Sequence, residues 1–179
     1  MEHNRKKSFQ GLITLCIFAI AFALLEASVV IYLRKLFNFD TQYVTQPVKV
    51  LLNLGFIAFL SPGTIIFPDK YILYVEILRE ASTIIILLAV AILSAKNLKA
   101  RLGAFLIAFS VWDILYYFFL RILAGWPKSL FDIDIYFLIP VPWVGPVISP
   151  LVIFTLLLFL GLYLYLKPAG KVLLNHESK

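Results

Sequence analysis

Apolar residues are not spread along this chain at a helical or strand period; they arrive in long uninterrupted blocks. Four blocks, residues 11–33, 71–95, 102–123 and 146–166, are each long enough to cross a bilayer as a helix. About 20 residues suffice, because roughly 30 Å of hydrocarbon is covered at about 1.5 Å per residue. Leu, Ile, Phe and Ala fill the blocks, while Gly, Pro and charged residues gather at their ends. Barrel strands would instead alternate in polarity, so helices are predicted.

Two other segments break this pattern. Between Asn53 and Ser61-Pro62-Gly63 only residues 54–60 are cleanly apolar, too few for a span. The expectation is a short interfacial or re-entrant helix over about 50–60, ended by the Pro-Gly pair. Residues 125–146 hold Pro127, Pro140, Pro142 and Pro146 together with Trp126 and Trp143. Prolines at this density do not continue a helix, and the tryptophans suit the headgroup belt. We read an interfacial connector in which Trp126, Pro140, Pro142 and Trp143 form a stiff cover, or lid, over the helix ends. Asp132 and Asp134, two apart, are placed in a surface loop of this connector. The predicted fold is an all-α integral membrane protein: four transmembrane helices in a small bundle plus one short interfacial or re-entrant helix, as a single domain over 1–179.

Composition explains why the blocks must face lipid. With 62% hydrophobic residues, 15% charged residues and a mean hydropathy of +0.95, a chain of 179 residues carries more apolar surface than one interior can absorb. A single cysteine, Cys16, excludes an intrachain disulfide and any Cys-x-x-Cys motif. His3 and His176 lie in the tails, which leaves no histidine in the apolar body to ligate haem or zinc. The net charge of +6 is scattered rather than gathered into a stacking patch, so anionic lipid headgroups and not nucleic acid are its expected counterions. Arg5-Lys6-Lys7 flanks the first block. The overall basic count splits 9 to 6 for four spans with the N-terminus inside and equally for five with it outside. The cluster beside the first block favours four, with both termini in the cytoplasm of a multi-pass inner-membrane protein and the connectors 34–70 and 124–145 on the outer side. The first block exceeds the 7–15 residues of a signal-peptide core, and we read it as an uncleaved anchor.

Charge inside the blocks carries the candidate chemistry. An ionisable side chain at membrane depth costs about 2.5–3.5 kcal/mol on insertion scales and usually faces a bundle interior. Glu26, Glu76, Arg79, Glu80 and Asp113 lie this deep. Glu76 and Glu80, four apart, share a helix face, and Arg79 can lean toward either. Tyr116 and Tyr117 stand one turn from Asp113. With the N-terminus inside, the three helices bring these groups into overlapping layers in the outer half of the bundle. A single pair such as Arg79 with Glu80 reads as structural glue. Four carboxylates against one arginine do not, because the excess demands protons, water or a bound cation.

Glu26, Glu76, Arg79, Glu80, Asp113, Tyr116 and Tyr117 are therefore expected to bind a cation, a proton or a small polar ligand, with ion- or proton-coupled transport as one use. The oxygen-rich set Glu26, Glu76, Glu80 and Asp113 suits a hard divalent ion such as magnesium, calcium or manganese. Two other classes remain open: a non-catalytic subunit or assembly factor whose charges pair with a membrane-protein partner, and a lipid-headgroup-modifying enzyme. No nucleophile elbow, zinc-protease helix, phosphate-binding glycine loop or Asp-rich prenyltransferase motif occurs, so the sequence gives no reason to assign catalysis.

Overall fold

The computed structural model describes residues 2–37, 48–62 and 70–167, with side chains from Phe9 onward except that of Phe37. The chain is mostly helical. Helices α1 (Glu2–Phe37), α2 (Lys70–Ser94), α3 (Leu98–Ala124) and α4 (Ile148–Leu166) are each long and apolar enough to span a membrane. Gly63, the side chains of His3, Arg5, Lys6 and Lys7, and the tail with His176 lie outside the described residues.

Local chemistry sets the helix ends. Asn97 is the N-cap of α3, its side-chain oxygen accepting from the Ala100 N–H at 2.9 Å. Gly125 ends that helix in the left-handed region at φ 69°, where its lack of a Cβ removes the steric penalty. Arg121 then donates to the carbonyls of Gly125 and Pro127, each at 3.0 Å, and fixes the exit of the chain. Pro150 sits in the first turn of α4, where no N–H is required of it.

Helix α3 is the central member, packing against the other three and the most buried of the four. Its face toward α4 is made of small residues. A Cβ on Gly103 would lie 2.6 Å from the Tyr165 nitrogen and 2.8 Å from the Gly161 carbonyl oxygen, so the two backbones are in direct contact. Toward α1, Ala104, Ile107, Ala108 and Trp112 join Leu15, Phe22 and Ala23 in the main apolar core. Large apolar side chains such as Ile17, Leu78, Ile85, Leu93, Leu156 and Phe159 point outward, the arrangement of a bundle solvated by lipid.

The connectors depart from the all-helical expectation. Residues 50–60 form a hairpin of β1 (Val50–Asn53) and β2 (Ala58–Leu60), not a helix. The Asn53 side chain accepts from the Gly55 N–H at 2.8 Å, and Gly55 has φ 86°. A left-handed glycine in the middle of the apolar run stops helix propagation and turns the chain instead. The 125–146 connector likewise supplies β3 (Ile133–Phe137) and β4 (Trp143–Pro146). All four strands join one antiparallel sheet in the order β1-β2-β4-β3. Pro140 and Pro142 fall in the β3–β4 turn, where a missing N–H breaks no ladder, and the Pro142 carbonyl accepts from the Leu60 N–H at 2.9 Å. Both long connectors leave the same end of the bundle. The sheet therefore ties them together there, in reach of α1, α2 and α3.

Candidate functional site

The deep charges do converge. Arg79 on α2 donates to Glu76 Oε2 through Nε at 2.9 Å and Nη2 at 2.7 Å, and through Nη1 to Glu26 Oε2 on α1. Glu76 lies one turn before Arg79, so the guanidinium fork meets it at (i, i+3) and still reaches across to the neighbouring helix. Thr83 Oγ1 donates to the Arg79 carbonyl at 3.1 Å, one turn deeper. Glu26 and Glu76 are both buried, and one arginine serves the two of them.

Glu80 is held differently. Its Oε2 accepts from the Leu138 backbone N–H at 2.8 Å, so the start of the β3–β4 turn caps this carboxylate. Asp113 on α3 is 7% exposed, and its Oδ2 has no hydrogen-bond partner. The indole Nε1 of the adjacent Trp112, 6% exposed, also has none. Among the described residues neither Glu80 nor Asp113 lies within ion-pair distance of a basic side chain. Both line one inner cavity of about 30 Å³ with Glu26, Trp112, Tyr116 and Tyr136. That volume holds about two water-sized groups. An outer cavity of about 130 Å³ adjoins it, sharing Arg79, Glu80, Tyr116 and Tyr136 and bounded by Val30, Leu33, Glu76 and Leu138.

Tyr116 and Tyr117 take separate places. Tyr116 stacks on Trp112 with ring centres 6.2 Å apart and lines both cavities. Tyr117 lines the inner cavity and donates to Asp134 Oδ2 at 2.9 Å. Asp134 is not a surface-loop residue, as its sequence setting suggested, but a buried residue of β3. Its Oδ1 accepts from Arg34 Nη2 at 3.5 Å, and the Arg34 guanidinium lies 3.7 Å from the centre of the Trp126 ring. Burial pushes the Asp134 carboxyl up to about 6 against the opposing pull of Arg34 and the Tyr117 hydroxyl. Tyr136, two residues on and on the same strand face, donates to the Pro146 carbonyl at 2.7 Å, and burial raises its phenol to about 12. Asp132, by contrast, is an exposed-turn acceptor that takes the N–H groups of Lys128 and Ser129 at 2.7 and 3.1 Å.

Asp134, Arg34 and Tyr136 thus belong to the polar centre although sequence reasoning left them out of it. The period-2 run Asp132-Ile133-Asp134-Ile135-Tyr136 signals a strand, but it would turn the isoleucines inward, whereas Ile133 is exposed and Asp134 buried, so the pattern finds β3 and not the role of Asp134. The cover residues divide: Trp126 supports Arg34 and lies beside Tyr117, whereas Trp143 sits in β4 against Phe59 and Phe137. Among the described residues no group of three or more Asp, Glu, His or Cys side chains is disposed to hold a metal ion.

Five carboxylates, Glu26, Glu76, Glu80, Asp113 and Asp134, therefore surround two guanidiniums, and each guanidinium is already engaged. The carboxylates without a basic partner among the described residues are Glu80 and Asp113, and they face a common space. No protein family, curated protein or solved structure matches this chain, so the geometry of the site stands as the guide to its chemistry.

Proposed function

We propose that this is a multi-pass inner-membrane protein with both termini in the cytoplasm and a cation- or proton-binding site in the outer half of its bundle. Glu80 and Asp113 are the ligand-binding carboxylates. Arg79 neutralises Glu26 and Glu76 and holds α1 to α2, while Tyr116 and Tyr117 wall the site. The observation that carries this reading is the Asp113 oxygen without a partner, buried beside Glu80 in a cavity of about 30 Å³. A buried carboxylate without a hydrogen bond or counter-charge is costly, and a proton or a small cation removes that cost.

Of the cations the sequence allowed, a monovalent one fits better than magnesium, calcium or manganese. Hard divalent ions take six or more oxygen ligands, several of them carboxylates, and here Glu26 and Glu76 are committed to Arg79. A singly charged guest with one accompanying water matches both the volume and the acceptor set, and that water can accept from the Trp112 indole.

Thermal denaturation of the detergent-purified protein tests this. Ammonium or sodium chloride should stabilise it above choline chloride at equal ionic strength, and the gain should shrink as protons compete at lower pH. Asp113→Asn should abolish the difference and Glu80→Gln should reduce it, while Asp132→Asn should leave it intact. If both site variants respond like the wild-type protein, the reading is wrong.

A further inference from the structure

Beyond a bare cation, we propose that the site takes the primary ammonium group of an amphiphile, with the attached chain leaving through the cleft between α1 and α2. This inference rests on the reading of the inner cavity as a cation site and names the class of molecule that carries the cation. Three observations support it. The first is the cleft itself: α1 and α2 each pack on α3 but hardly touch one another, and what joins them is the Glu26–Arg79–Glu76 bridge. Arg79 keeps 22% of its side chain exposed in that gap although it lies more than two turns inside α2.

The second is the change of character along the path. The outer cavity is lined by apolar Val30, Leu33, Ile135 and Leu138 together with the ion pairs Arg34–Asp134 and Arg79–Glu76, whose charges offset one another. It leads at Glu80 into the inner cavity, where the Glu80 and Asp113 carboxylates lack such partners among the described residues. A guest matched to both has a methylene stem and a positively charged end. The third is size. An –NH₃⁺ group is close to a water molecule in bulk and brings three donors, for which Asp113 Oδ2 and Glu80 are acceptors. Trp112 and Tyr116 also line this cavity, within which aromatic rings are favourable neighbours for a cation. An inner cavity with room for about two water-sized groups matches an –NH₃⁺ end more closely than a bulkier trimethylammonium head, so the geometry favours primary over quaternary amines.

Three probes at equal concentration separate the outcomes: methylammonium, n-octylammonium and n-octyltrimethylammonium chloride, each below its micellar range, read by thermal shift. The octyl chain should lower the half-saturating concentration of the primary amine by about tenfold or more, since two buried methylenes suffice for that. The trimethyl compound should give no shift beyond that seen with Asp113→Asn. Leu33→Asn, in the stem path, should remove the chain-length gain but keep the methylammonium response, and Glu80→Gln serves as the second site variant if Asp113→Asn does not fold. A methylammonium response with no gain from the chain, or equal binding of the trimethyl compound, overturns the amphiphile proposal and leaves the cation site standing. No response to any of the three overturns both. Native mass spectrometry from bilayers of phosphatidylethanolamine and phosphatidylcholine then distinguishes the source. Selective retention of phosphatidylethanolamine identifies a membrane lipid headgroup, and octylammonium binding without it identifies a free amine.

Discussion

The two sides of α3 are built on opposite principles. Against α4 it presents Gly103 to Gly161 and Tyr165, with backbones so close that a single added Cβ has nowhere to go. Against α1 and α2 in the upper bundle it presents Asp113, Tyr116 and Tyr117 to a pair of adjoining cavities, and the two outer helices are linked by charge rather than by packing. In lipid, where apolar surfaces gain little by leaving their surroundings, close van der Waals contact and buried polar bonds are the means left for holding helices together. This chain uses the first for rigidity and the second where space has been left. The proposed cation site lies on the second side.

The strongest way to break this contrast is to remove the charge that stands in for packing. Arg79→Leu leaves Glu26 and Glu76 buried without a counter-ion and should cost about 3–5 kcal/mol in detergent unfolding measurements. The triple change Glu26→Gln, Glu76→Gln and Arg79→Leu should recover most of that loss. If it does not, the bridge acts through shape and the two helix interfaces differ less than their chemistry implies.

Next in size is a pH effect at the sheet. The Asp134 carboxyl is raised from 3.8 to about 6, so the folded protein holds its proton more tightly than the unfolded chain. The associated stability is fully present below about pH 4 and is lost as pH rises through about 6, and a displacement of that size corresponds to about 3 kcal/mol. Asp134→Asn removes the titrating group while its amide oxygen still accepts from one of the two donors, Arg34 or Tyr117, and it should flatten that part of the wild-type stability profile. An unchanged slope would remove Asp134 from the polar centre.

Smaller losses are expected on the packed side. Gly103→Ala forces α3 and α4 apart and should cost about 1–3 kcal/mol, without altering the response to ammonium chloride. A lost response would mean that the two sides are mechanically coupled. Smallest is Asn97→Ala, which removes the α3 cap remote from both and should cost about 1 kcal/mol.

How much of this was legible follows from range. The four long helices could be read because block length and apolar content are local properties, and each observed helix covers nearly all of its block. The meeting of Glu26 with Glu76 and Arg79 could be read because depth along a span is also local. Residues 50–60 were misread because a short apolar run looks the same in a buried helix and in a strand, and the deciding feature was a turn at Asn53 and Gly55. Asp134 was misplaced for a different reason. Its burial depends on β3 folding back onto Tyr117 and on Arg34, 100 residues earlier in the chain, which no local pattern encodes.

The bond between Glu80 and the Leu138 N–H joins residues 58 positions apart, and the β2–β4 pairing joins the two connectors beyond it. A ribosome releases α1, α2 and α3 before either contact has both its halves. Of the described elements only α4 follows these contacts in the chain, so the polar centre is completed late in synthesis, and a chain halted after α3 carries Glu80 and Asp113 without their cover.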